Sequence, residues 1–319
     1  MTGRRRVNAS SVAAACALVC LLLSEIAVAG TSSAAPQRPG ADPARAASPV
    51  IVVAAGDIAR CAPPNCAAAA YGPPGAGQRP GASVDHGRQS VRARYAGRVQ
   101  VAVREVLGSG RFRGRTRPTP GNHEYLTKDA GGYFRYFGKQ AHRRRDGYYS
   151  FNVRGWHVVA LNSSDGSCSQ VRCGPRSAQV RWLRRDLDDH KRRCTLAYWH
   201  HPPWSSGEHG GNTTTRTMWR VLARGGGDVV LNGHDHNYER FAPRAATGSA
   251  AARGIRQFFV GTGGGGLRSI TKPYASLSRK HIDHRYGVLR LALRPRSYNF
   301  RFISAGGRVL DRGGRFRCH

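Results

Sequence analysis

Residues 229–240 have the sequence VVLNGHDHNYER. The apolar run at its start is short and ends in turn-forming residues, which favours a strand buried on both faces of a sheet. Gly233 allows a sharp turn after this strand, and His234 and His236 follow it, separated by one residue. Ligands bind at the carboxyl ends of strands in open α/β sheets, so these histidines are candidate site residues.

The same arrangement recurs along the chain. Further short apolar runs, each followed directly by Gly, Asn or His, occur at 49–55, 156–161, 195–199 and 256–260. Apolar residues at helical spacing predict amphipathic helices over 177–190 and 213–223. Alternating apolar residues after Tyr286 predict further strands. Strands alternating with helices indicate an α/β domain whose strand ends converge on one site.

Four motifs stand out: Gly56-Asp57, Gly121-Asn122-His123-Glu124, His200-His201-Pro202 and Gly233-His234-Asp235-His236. Each is weak alone, since a single Asp after a strand is more often a helix cap and a single His more often a hydrogen-bonded core residue. Together they offer imidazole, carboxylate and amide oxygen, which suit Zn, Fe and Mn ions. Two such ions ~3.5–4 Å apart can clamp a phosphate group and activate water.

The order and separation of the motifs resemble those of the calcineurin-like metallophosphoesterases. The segment 199–240 is similar to the bacterial branch that resembles purple acid phosphatases, and the resemblance covers 50–319. It implies a four-layer α/β/β/α sandwich of two mixed sheets flanked by helices. It also implies two metal ions (Fe, Zn or Mn) and hydrolysis of phosphate esters, mainly monoesters, by in-line attack of a metal-bound hydroxide.

The resemblance also implies metal ligands. Asp57 and His236 would bind the first ion, and Asn122, His200 and His234 would bind the second.

Three further residues would act on the substrate. His123 would stabilise charge and protonate the leaving alkoxide, and Glu124 would help to orient His123. His201 would face the substrate.

One element of the family pattern is missing. The family has a Gly-Asp between the first and second motifs, extended to GDxxY in the purple-type branch, and its Asp bridges both metals. No Gly-Asp occurs in 58–121. The segment 60–117 instead holds 11 Arg against Asp85 and Glu105, a net charge of 11 − 2 = +9.

A reading-frame shift in the gene would explain both features. Codons compatible with 87–93, read one base later, encode Gly-Asp-Asn-Gln-Tyr-Glu. The alternative is a genuine insert, with the bridging ligand supplied by Asp85 or His86. If the carboxylate is absent, we expect little activity, and the alternative function is a phosphate- or polyanion-binding protein on a phosphoesterase scaffold.

The amino terminus has the features of a secretory signal peptide. Three arginines at 4–6 precede an apolar run over 12–28, and Ala27-Val28-Ala29 matches an A-x-A cleavage pattern. We predict a signal peptide over 1–29 cleaved after Ala29, a flexible leader over 30–49, and a single domain over 50–319. The protein is therefore expected to be secreted without a stable membrane anchor, an uncleaved anchor being the alternative.

Cysteine content agrees with export. Six cysteines follow the predicted signal peptide: Cys61, Cys66, Cys168, Cys173, Cys194 and Cys318. An even number in an exported chain suggests disulfides, with Cys168 and Cys173 close enough for a local loop. The other pairings stay open, and a zinc site is the alternative.

The formal net charge is +33, which would suit a polyanionic partner. The basic residues are spread along the chain rather than gathered in one stripe. We therefore predict a phosphate-ester substrate and no specific nucleic-acid partner.

Overall fold

The structure is a computed structural model that describes residues 48–58, 115–141, 146–191, 194–271 and 273–319. The predicted signal peptide, most of the leader, Cys61, Cys66 and most of the segment 60–117 lie outside these residues. Among the residues that are described, no helix is both long and apolar enough to span a bilayer.

The described strands lie at Val50–Ala54 (β1), Tyr149–Val153 (β2), Trp156–Ala160 (β3), Cys194–Tyr198 (β4), Val229–Asn232 (β5), Tyr238–Phe241 (β6), Arg256–Val260 (β7), Ser278–Ile282 (β8), Gly287–Arg294 (β9), Ser297–Ser304 (β10) and Val309–Arg317 (β11). The described α-helices are Gly131–Phe137 (α1), Ala178–Asp189 (α2) and Arg216–Arg224 (α3). The strands predicted in the first apolar run and after Tyr286 are confirmed.

The strands form two sheets. One has four described strands in the order β1-β9-β10-β11, and every pairing in it is antiparallel. The other has seven described strands in the order β2-β3-β4-β5-β7-β6-β8, with parallel pairing from β3 to β7 and antiparallel pairing at both edges. The predicted fold of two sheets with helices is therefore confirmed; the larger sheet is mixed, and the described strands of the smaller one pair antiparallel.

The two sheets pack face to face. Alternating residues of β9 (Leu289, Leu291 and Leu293) face a common core with Phe258 and other residues of the larger sheet. The opposite face of the larger sheet packs against α2 and α3 in a second core. Among the described residues this gives the helix, sheet and sheet layers of the predicted sandwich.

Helices α2 and α3 begin and end close to the predicted residues, except at the start of α3. The Ser177 side chain accepts a hydrogen bond from the Val180 backbone and caps α2. Helix α3 ends before Gly225 as predicted but begins at Arg216 rather than at residue 213. The side chain of Asn212 accepts the Thr214 and Thr215 backbone N–H groups, which holds a turn before the helix.

Two disulfides are described. Cys168–Cys173 closes the predicted local loop, and Cys194–Cys318 joins the start of β4 to the carboxyl-terminal segment. These four cysteines are therefore not thiolate ligands of a zinc ion.

Candidate metal centre

The ends of strands from both sheets meet at one site. Asp57 follows β1 of the smaller sheet, while His200 and His234 follow β4 and β5 of the larger one. Backbone hydrogen bonds hold the ends together, from Gly56 N to Val260 O at 2.7 Å and from Gly233 N to His200 O at 3.0 Å. The predicted convergence of these strand ends is present in the structure.

The predicted metal-binding side chains approach one another closely. Asn122 Oδ1 lies 2.8 Å from His200 Nε2. Asp57 Oδ1 lies 3.6 Å from His236 Nε2 and 3.9 Å from His200 Nε2. Asp57 thus lies between His236, predicted to bind the first ion, and His200, predicted to bind the second. Ligands bonded to one ion at ~2.0–2.2 Å have similar mutual separations.

Hydrogen bonding orients His236 toward Asp57. Its Nδ1 lies 2.6 Å from the Gly266 carbonyl oxygen, which can only accept, so Nδ1 carries the proton. Neutral His236 therefore has its lone pair on Nε2, the atom that faces Asp57. A histidine that donates one ring N–H to a carbonyl and presents the other nitrogen is typical of metal ligation.

Two of the predicted ligands have an unusual backbone conformation. Asp57 has φ = +52° and His234 has φ = +83°. Left-handed backbone at a non-glycine residue costs roughly 1–3 kcal/mol and is concentrated at functional sites. The His234 backbone N–H donates to Asp57 Oδ2 at 2.9 Å, which links the two strained residues.

The glycines of two motifs are required by close packing. A Cβ at Gly121 would lie 2.7 Å from the His200 ring, and a Cβ at Gly233 would lie 2.6 Å from Asp57 Oδ2. At both positions the backbone therefore lies too close to a candidate ligand side chain to leave room for a Cβ atom.

The second motif forms a tight turn at the rim of the site. Glu124 Oε2 accepts the Gly121 backbone N–H at 2.7 Å, so Glu124 holds the turn that carries Asn122 and His123. His123 is exposed at the rim of the site. Burial raises the pKa of Asp57, and the neighbouring histidines, His123 among them, oppose this only in part. Burial raises the pKa of Glu124 to about 7.

His201 is buried against the same cluster. Its Nδ1 lies 2.8 Å from Ser163 Oγ, and its ring centroid lies 4.4 Å from that of His234. One ring nitrogen each of His200, His201 and His234 lies within 4.8 Å of the others. His201 therefore lies beside two predicted ligands of the second ion, His200 and His234. It also lines a cleft that opens beside this cluster.

Sequence reasoning missed His209 and Asp235. Asp235, the middle residue of the last motif, is fully buried, and its Oδ1 accepts the His209 backbone N–H at 3.0 Å and lies 2.7 Å from His209 Nδ1. The His209 ring centroid is 4.5 Å from that of His234. The available signal was a histidine followed by two glycines, shortly after His200-His201-Pro202.

Electrostatics favour uncharged histidines at this site. Burial, reinforced by neighbouring histidines, lowers the pKa of His200 well below its ordinary value and that of His201 to about 2. Burial likewise lowers the pKa of His234 to about 4. Neutral imidazole is the form that binds metals.

The described residues fit one metal ion well and a second in part. Asn122, His200 and His234 offer three donors of suitable type for one ion. Asp57 and His236 offer two for the other. The bridging Asp of the family pattern is missing from the sequence, and its alternatives, Asp85 and His86, lie outside the described residues.

A sequence model of the family described as calcineurin-like phosphoesterase matches residues 44–238. The chain belongs to this family. The match contains every predicted metal ligand, His123, Glu124 and His201.

The most similar curated relatives include purple acid phosphatases. Purple acid phosphatase 22 of Arabidopsis thaliana is 35% identical over 141 residues, which are 41% of this chain and 31% of that protein. Tartrate-resistant acid phosphatase type 5 of Oryctolagus cuniculus is 24% identical over 166 residues, 48% of each chain. The chain therefore spans about a third to a half of the length of these two relatives.

A solved structure has a similar fold. Purple acid phosphatase PPD1 from yellow lupin (Lupinus luteus) seeds matches with a TM-score of 0.52 at 18% identity, over 62% of this chain and 37% of that one. At this identity the likeness concerns the fold alone.

Proposed function

We propose that the protein is an exported, metal-dependent phosphoesterase that hydrolyses phosphate monoesters. The observation that carries this proposal is the meeting of Asp57, Asn122, His200, His234 and His236 at strand ends of two sheets. Membership of the calcineurin-like phosphoesterase family and similarity to purple acid phosphatases support it.

The metal ions and the protein side chains would contribute different parts of the reaction. When bound, the ions would supply Lewis-acid activation of water and neutralise phosphate charge. His123, exposed at the rim, would protonate the leaving alkoxide, and Glu124 would hold its turn. His201 and His209, whose rings lie beside His234, would contact the phosphate oxygens.

Export is part of the proposal. The signal-peptide pattern at 1–29 and the two disulfides of the described part support it. Amino-terminal sequencing of protein recovered from the medium is expected to begin at residue 30. Retention of the mature chain inside the cell would contradict export.

A second candidate is a phosphate- or polyanion-binding protein with impaired catalysis. The absence of any Gly-Asp in 58–121 favours it, because two ions without a bridging carboxylate are held poorly. The two candidates differ in whether the chain made by the organism contains that carboxylate.

The test compares the printed chain with a version whose reading frame is corrected across 60–117. We expect the corrected chain to hold two ions and to hydrolyse para-nitrophenyl phosphate faster than its bis-ester. The printed chain should bind fewer ions and show little turnover. His200→Ala in the corrected chain is the control and should abolish both properties.

Each outcome decides between the candidates. Equal turnover by the two chains would show that the missing carboxylate is unimportant. Absence of turnover in both, with phosphate binding retained, would favour the binding protein.

A further inference from the structure

A cleft of about 440 Å³ opens beside the histidine cluster. Asn122, His201 and His234 form its inner wall. Two loops, 165–167 and 211–214, form the outer wall. An ester whose phosphate contacts the inner wall would place its leaving group between these loops.

The chemistry of the outer wall is unusual for a small-molecule site. Such sites are mostly lined by hydrophobic and aromatic side chains. Among the described residues, the side chains of the outer wall are all polar: Asp165, Ser167, Asn212, Thr213 and Thr214, interspersed with glycines. A nucleobase or aryl group would find no apolar surface there, whereas hydroxyl groups would find many hydrogen-bond partners.

The two loops are held in place by the protein itself. Asn212 Nδ2 donates to the Gly166 carbonyl at 2.8 Å, which ties one loop to the other. The Asn212 backbone N–H donates to Pro202 O at 2.7 Å, and the Cys168–Cys173 disulfide closes the chain just beyond the first loop. The shape of the cleft is therefore set before a substrate enters.

Asp165 gives the cleft a fixed negative charge. Although partial burial opposes it, hydrogen bonds from Ser169 and Ser167 hold the pKa of Asp165 below its ordinary value. Ser169 donates through its hydroxyl at 2.7 Å and Ser167 through its hydroxyl at 2.9 Å. This exposed carboxylate can accept hydroxyl groups of a ligand but repels a second phosphate.

We propose that this cleft binds the leaving alcohol and selects monophosphates of small, neutral polyhydroxylated alcohols, such as sugars and polyols. Asp165 is its specificity-determining residue, since it accepts substrate hydroxyls and disfavours bisphosphates. The inference rests on the proposed function of the same site. A site built to hydrogen-bond hydroxyl groups rejects ligands that lack them, because its polar groups are then left unpaired.

The experiment measures binding and turnover separately with four probes. Glucose 6-phosphate, fructose 1,6-bisphosphate, phenyl phosphate and phosphocholine are titrated calorimetrically into the metal-loaded printed chain, for which little turnover is expected. The value of kcat/KM for each is measured with the frame-corrected chain. We expect glucose 6-phosphate to bind most tightly and to have the highest kcat/KM. Phosphocholine tests whether Asp165 merely attracts cations, and phenyl phosphate tests for an apolar contact.

Asp165→Asn should tighten fructose 1,6-bisphosphate binding and weaken glucose 6-phosphate binding by about two- to fivefold each, the range for an exposed charge. Asp189→Asn, at the exposed end of α2, is the matched control and should change neither value. Thr213→Val is a second variant that removes one hydroxyl at nearly constant volume. It should weaken the binding of glucose 6-phosphate but leave the binding of phenyl phosphate unchanged.

The outcomes separate this inference from the proposed function. Preference for phenyl phosphate or phosphocholine, or unchanged affinities for glucose 6-phosphate and fructose 1,6-bisphosphate in Asp165→Asn, overturns the inference even when the chain is an active phosphatase. If no ester is turned over but the binding ranking is as expected, the cleft assignment stands and the hydrolytic function fails. Failure of all four probes to bind overturns the inference.

Discussion

Asn122 Oδ1 lies 2.8 Å from His200 Nε2, although the two residues are 78 positions apart in the chain. Their approach depends on Gly121, the residue directly before Asn122. A Cβ at Gly121 would lie 2.7 Å from the His200 ring, so the contact requires a position without a side chain. The glycine of the second motif thus positions a candidate metal ligand of the third.

Gly121→Ala is expected to push the His200 ring away from Asn122 and to weaken metal binding. Displacing the groups around a metal site typically costs about 10–100-fold in affinity or activity. Metal content after dialysis, measured by mass spectrometry, checks this prediction. Gly174→Ala is the control, because nothing lies within 4 Å of its Cβ position. Equal metal content in the two variants would contradict the steric argument.

The convergence of three candidate ligands was predictable from strand periodicity, whereas their role as metal ligands came from the resemblance to the family. A short buried strand places its next polar residue at the sheet edge, so Asp57, His200 and His234 were expected to meet. Asn122 was assigned through its motif, since the chain before it gives no clear strand signal.

The residues that sequence reasoning missed reach the site through loops. His209 is brought to His234 by its hydrogen bond to buried Asp235, a contact 26 residues apart that no periodicity encodes. The late start of α3 has a similar cause, because the Asn212 side chain holds a local turn that competes with the helix. Both cases depend on side-chain hydrogen bonds within loops.

Removal of the Cys194–Cys318 disulfide is expected to destabilise the protein more than removal of Cys168–Cys173. The first joins residues 124 positions apart and the second residues only 5 apart. Loop-closure entropy assigns about 4–5 kcal/mol to the long loop and about 2 kcal/mol to the short one. Urea denaturation of the two double Cys→Ala variants measures the difference. A larger loss for the short loop would refute the ordering.

Asp228 is expected to make stability fall as pH rises. This carboxyl is buried and accepts the Thr195 and His319 backbone N–H groups at 2.7 and 3.0 Å. Burial raises the pKa of Asp228 to about 7, whereas the unfolded chain has a pKa of about 3.9. Between these values the folded chain keeps a proton that the unfolded chain releases, so the free energy of unfolding decreases with pH, by at most about 1.4 kcal/mol per unit.

The measurement compares wild type with Asp228→Asn by urea denaturation at several pH values. The Asn side chain accepts one hydrogen bond fewer at every pH, which shifts the free energy of unfolding by a constant amount. The change of this free energy with pH is therefore the test, and the variant should gain stability relative to wild type from about pH 4 to 7. Asp189→Asn, an exposed carboxylate of α2, should show no such trend. A constant difference for Asp228→Asn would mean that the carboxyl is ionised throughout.

Basic residues that are scattered along the sequence meet in the smaller sheet. Arg301 of β10 lies directly opposite Arg290 of β9 and directly opposite Arg312 of β11. Burial and the charge of Arg301 lower the pKa of Arg290. Strand register thus places side by side three arginines that are distant in the sequence.

Arg301→Thr is expected to stabilise the protein. Like charges directly opposite across strands destabilise by roughly 0.2–1 kcal/mol, and Thr is favourable in strands. A gain of this size corresponds to about 1–4 °C in Tm for a domain of 150–250 residues. The control is Arg317→Thr, also exposed on β11 but opposite Ser297 rather than an arginine. Because the repulsion is electrostatic, the gain should shrink in 1 M salt, where charges are screened within about 3 Å. Equal Tm values for the two variants at low salt would refute a repulsive arginine row.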